Sequence, residues 1–92
     1  MSKAKIDCAL PARLALIGAC MRNGLLVDAE RLLKECQLSA SRAQLAQHWF
    51  VLALRHGELQ DGAQRTRLLQ LVLEQFPEQG QANKARFLLD NG

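Results

Sequence analysis

Apolar residues recur along this chain at helical spacing, in five separate blocks. In the third block Ala46, Trp49, Phe50 and Ala53 stand at i, i+3, i+4 and i+7 and share one face. Leu69, Val72, Leu73 and Phe76 repeat that spacing in the fourth, where Leu68 and Leu71 widen the stripe. Ala29, Leu32, Leu33 and Cys36 repeat it in the second. The first block differs: Leu14, Ala15, Leu16, Ile17, Ala19, Cys20 and Met21 cover most of a helix circumference. A helix apolar all round has to be covered on more than one side, which its own neighbours in so small a domain hardly suffice to do.

The residues between the blocks set the expected boundaries. Pro11 suits the first turn of a helix, where its missing N–H is not needed, and that helix runs to about Arg22. Asn23-Gly24 supplies a residue tolerant of positive φ, a helix stop. The second helix spans about Val27 to Cys36, with Asp28 and Glu30 in its first turn, favourable to the dipole. Ser39 or Ser41 caps the third, which ends at His56 before Gly57. Asp61 caps the fourth, which continues to about Gln75; Pro77 and Gly80 separate it from a fifth over Gln81–Asp90. Short loops make successive helices antiparallel neighbours. The expectation is an all-α fold of antiparallel helical hairpins with about five helices, in one domain over 9–92 behind a flexible N-terminal tail, residues 1–8.

Composition narrows the class. Ninety-two residues, 49% hydrophobic and 23% charged, make one globular domain rather than a disordered chain. The net charge of +3 is spread along the chain; its densest basic spot is Arg65 with Arg67. That suits a solvated helix surface or an acidic partner better than a nucleic acid, which calls for clustering. Asp7 and Arg13 interrupt any leader-like run, and Leu14–Met21 is too short to cross a bilayer. With Cys8, Cys20 and Cys36 odd in number and without a CxxC, we expect a reduced, cytoplasmic chain whose thiols are small core residues.

Candidate chemistry is sparse. His48 and His56 lie eight residues apart, roughly 12 Å along a helix, too far to share a metal unaided. His56 is expected to favour the helix dipole at its end, and His48 to sit on the surface or rim. Neither a GxSxG elbow nor a glycine-rich phosphate loop occurs, so neither an enzyme nor a cofactor is expected. Trp49 shares its stripe with Phe50 and Ala53, which favours a core role over that of a partner anchor. Met21 divides between core and groove in the same way.

Gly24 and Gly57, 33 residues apart, each follow an apolar helix and precede an amphipathic one. This resembles the tetratricopeptide repeat, a helix pair on a 34-residue period. The first unit offers Leu16, Ile17, Cys20, Gly24, Leu26, Ala29, Leu33 and Cys36; the second offers Trp49, Phe50, Ala53, Gly57 and Leu59, then Leu69, Val72 and Pro77 after a three-residue slip. Ile17 and Phe50 replace the family's first-helix glycine, and the first unit lacks the final proline. The resemblance implies a fifth helix that closes the stack with Ala82, Ala85, Leu88 and Leu89 while Arg86 and Asp90 stay wet. It also implies an inner groove lined by Leu14, Gly18, Met21 and Arg22 from the first helix and by Gln47, Val51, Leu54 and Arg55 from the third.

Ala15-Leu16-Ile17-Gly18, followed after a turn by "AERLLKE", is similar to the start of the tetratricopeptide-like bacterial chaperones of the type III secretion needle subunit. Membership would imply a virulence-related cytoplasmic chaperone that holds the amphipathic C-terminal helix of a self-assembling needle subunit. It would also imply a second small helical co-chaperone on the first helices, hence a hetero-oligomer without nucleic acid or membrane insertion. Two other readings stand beside it. One is a general helical adaptor. The other is a helix-turn-helix DNA-binding regulator, whose third helix would read bases with Arg42, Gln44 and Gln47.

Overall fold

The computed structural model describes residues 2–91, with side chains from Pro11 to Asn91. It is all-α, with five helices packed into a bundle: α1 Ser2–Arg22, α2 Leu26–Glu35, α3 Arg42–Glu58, α4 Gly62–Gln75 and α5 Gly80–Asn91. Because α1 is helical from Ser2, Pro11 lies inside it rather than in its first turn, and the segment expected as a tail, residues 1–8, is helical backbone from Ser2 on.

Local chemistry explains the boundaries. Ser41, not Ser39, caps α3: its hydroxyl accepts from the Gln44 N–H (3.1 Å) and its own N–H donates to the Gln44 side chain (2.9 Å), a reciprocal capping box. The Asp61 carboxylate accepts from the Gln64 N–H and caps α4.

The two hairpin turns share one construction. At the end of α1, the Gly24 N–H donates to the Met21 carbonyl and the Leu25 N–H to that of Cys20, with Gly24 at φ +77°. At the end of α3, the Gln60 N–H donates to Gly57 and the Asp61 N–H to His56, with Gln60 at φ +63°. Both are Schellman motifs, closed by one left-handed residue. Gly57 is therefore not the stop expected from the sequence; α3 continues through it to Glu58. The turn residues that correspond are Gly24 and Gln60, 36 positions apart rather than 33. The apparent three-residue slip after Gly57 disappears: with a 36-residue offset Leu33 matches Leu69 and Cys36 matches Val72, all four fully buried.

The stripes read from the sequence meet in one continuous core. Ile17, Met21, Leu26, Ala29 and Leu33 from the first hairpin join Leu45, Trp49, Leu52, Leu68 and Leu69 from the second, and α5 adds Ala85. The faces do not pack equally. Each helix packs on the next in the chain; α1 also reaches α3, and α3 reaches α5. Among the described residues the backbones of α2 and α4 make no such approach. The odd-numbered helices thus form one layer and the even-numbered ones another, more open, in a slab of 49 × 29 × 14 Å.

Candidate functional site

The even layer is bridged by charge. Arg67 on α4 donates to Glu30 on α2 at 2.7 Å, and Lys34 stands 3.4 Å from the same carboxylate. Burial pushes the Glu30 carboxyl up, but Arg67 and then Lys34 outweigh it and hold the group below its ordinary range. Arg31 lies between Asp28 and Glu35. The cleft of about 410 Å³ between α2 and α4 therefore has walls whose charges largely cancel. Buried His56 faces it from the last turn of α3, 3.8 Å from the Asp61 carboxylate.

At the other end, Arg42 fastens the start of α3 to the α4–α5 turn. Its guanidinium donates twice to Glu78 (2.6 and 3.0 Å), also donates to the Gln75 carbonyl, and stacks 5.0 Å from the Phe76 ring centre. Held chiefly by Arg42, the Glu78 carboxyl is lowered to about 2. This bears on the helix-turn-helix reading. Arg42 is engaged with Glu78, Gln44 with the cap of its own helix, and the Gln47 side chain accepts from that of Gln81 at 2.7 Å.

The odd layer has a different character. Of the residues expected to line a groove on α1, Leu14 and Gly18 are half-buried, Met21 is 5% exposed and belongs to the core, and Arg22 is exposed. Arg22 folds back along its helix, so that a Cβ at Gly18 would stand 3.4 Å from its Nη1. On α3, Gln47 is exposed, Val51 and Leu54 are half-buried against the core, and Arg55 is half-buried with an ion pair to Glu58 at 2.8 Å. The side of α1 bearing Ala12, Ala15 and Leu16 is open; Leu16 is 51% exposed, so the covering expected all round this helix is not supplied by α2–α5.

The stripe expected on α5 is covered, and an aromatic outside it was not anticipated. Ala82 and Ala85 are buried with Leu88 and Leu89 half-buried, and Arg86 and Asp90 are exposed. Phe87, however, points away from that stripe and is 64% exposed. With Phe50, Leu88 and Lys84 it lines an open groove of about 400 Å³ between α3 and α5. The signal was available: a Phe out of phase with its own helix's buried stripe is a surface aromatic.

Among the described residues no helix is long and apolar enough to cross a membrane, and no group of three or more His, Cys, Asp or Glu could hold a metal ion. Cys20 and Cys36 are buried free thiols. No family model, no curated protein and no solved structure matches the chain.

Proposed function

We propose that this chain is a tetratricopeptide-like protein-binding module whose odd-helix face holds an amphipathic helix of a self-assembling client. The contact pattern is the observation that carries the reading. Successive odd helices approach one another while the backbones of α2 and α4 stay apart, linked by the Arg67–Glu30 side chains, as they would in a helical-hairpin stack curved with its odd helices inward. Such a face offers a client the half-buried Val51 and Leu54 and the exposed Phe87. An amphipathic helix laid along it would place apolar anchors there, each contributing about 1.5–3 kcal/mol when fully covered.

The resemblance to needle-subunit chaperones supports a more specific role in this proposal: the module keeps a secreted, polymerising subunit soluble in the bacterial cytoplasm. The open side of α1 then serves the second, co-chaperone chain, with Leu16 at its centre. The test is co-expression with a short needle-type subunit and a small helical co-chaperone, followed by size-exclusion chromatography of the soluble fraction. A defined heteromer is expected, weakened by Leu54→Asp on the client side and by Leu16→Asp on the co-chaperone side, with helix content kept. A heteromer indifferent to both substitutions would place the interfaces elsewhere, and failure to form one would refute the proposal.

A further inference from the structure

The two layers differ in how their charges are used. On the even helices, cations and acids are largely tied to one another: Arg31 to Asp28 and Glu35, and Lys34 and Arg67 to Glu30. On the odd helices from Pro11 on, six cations face two acids, Glu58 and Asp90, a net of +4. Four of those cations, Arg13, Arg22, Lys84 and Arg86, have no ion pair among the described residues, and all four are exposed. The odd layer is also the one with the apolar groove of Phe50, Phe87 and Leu88, and Lys84 forms part of its wall.

From this coincidence we infer that the client helix is acidic as well as amphipathic: its apolar face enters the α3–α5 groove and its carboxylates meet Lys84 and, further along the layer, Arg22. The inference rests on the groove reading above and adds the sign of the partner's charge. An unneutralised cation in the wall of an apolar groove, within a layer of net positive charge, attracts a negatively charged helix and disfavours a positively charged one of the same shape. A basic partner would face repulsion at the groove wall itself, because among the described residues no acid lines it.

Two fluorescently labelled synthetic peptides provide the test. They share one Leu/Ala apolar helical face and carry either Glu or Lys on the polar face, and each is titrated with the full chain by fluorescence anisotropy. The acidic peptide is expected to bind about tenfold more tightly at low salt, since a few exposed ion pairs contribute several-fold between them and their reversal repels. That preference should shrink toward unity as NaCl rises from about 50 to about 500 mM. Lys84→Glu should reduce it several-fold, and Phe87→Ala should weaken both peptides alike. Equal binding of the two, with both weakened by Phe87→Ala, overturns the acidic partner and leaves the groove standing. Binding of neither removes the groove and this inference together. A preference that survives both high salt and Lys84→Glu also overturns it. Lys84 and Phe87 are exposed, and the salt series on the unaltered chain decides the matter even if a variant fails to fold.

Discussion

The two hairpin turns are built alike but close on different residues, which makes them a matched pair for measuring the cost of a left-handed backbone in this protein. Gly24 at φ +77° is free of side-chain strain, whereas Gln60 holds φ +63° with a Cβ. An L-residue in that region costs about 1–2 kcal/mol. Nothing lies within 4 Å of a Cβ built on Gly24, so Gly24→Ala meets the backbone term alone. The alanine also restricts the unfolded chain, which returns about 0.4–1 kcal/mol. The net expectation for Gly24→Ala is a loss of roughly 0.5–1 kcal/mol. Gln60→Gly runs the same terms backwards: it sheds the strain, gives up the unfolded-state advantage and, Gln60 being exposed, forfeits little packing. Its net should be neutral to about 1 kcal/mol stabilising. Urea unfolding followed by far-UV circular dichroism reads both as midpoint shifts at unchanged slope. In thermal unfolding, a domain of this size shifts by about 4–8 °C per kcal/mol. Unaltered stability of Gly24→Ala, or destabilisation by Gln60→Gly, would refute the equivalence of the two turns and the 36-residue offset drawn from it.

Three further outcomes follow from particular contacts. The Glu78 carboxyl is lowered from its ordinary 4.5 to about 2, so what the Arg42–Glu78 pair contributes is fully present above pH 4.5 and lost as pH falls from there through about 2. Glu78→Gln should therefore flatten the acid limb of a stability–pH profile in that window, and an unchanged limb would count against the pair. A Cβ on Gly57 would stand 2.7 Å from Arg65 Cδ, so the Arg65 side chain must swing aside to admit Gly57→Ala. The substitution should therefore gain less in the parent than in an Arg65→Ala background, where up to the roughly 0.5–1 kcal/mol that alanine brings to a helix is free to appear, and a double-mutant cycle by urea unfolding measures the difference. Leu33 is fully buried, and Leu33→Ala should cost about 2–5 kcal/mol, enough to threaten a domain this small; calorimetry would read it directly.

Apolar periodicity together with the residues at each break determined much of the architecture. Ala46, Trp49, Phe50 and Ala53 share one helix face in any fold, and all four are buried. Ser41 with Gln44, and Asp61, mark helix starts because each cap is satisfied within one turn. Information of that range is local and survives without knowledge of the fold. Gly57 shows where it stops. A glycine suits a turn, but it is equally compatible with a helical turn against which another side chain packs closely, as Arg65 of the next helix packs on Gly57. The turn went to Gln60, whose propensity gave no warning of positive φ. Met21 and Leu16 stand on the same apolar helix, yet Met21 is 5% and Leu16 51% exposed, a choice made by where α2 and α3 lie. The separation of tied charges on the even layer from unneutralised cations on the odd one is likewise invisible in a sequence that interleaves both signs. Pairs such as Glu30 with Arg67 and Arg42 with Glu78 join residues more than thirty positions apart. Burial and ion pairing depend on distances between helices, and those distances exist only once the chain has folded.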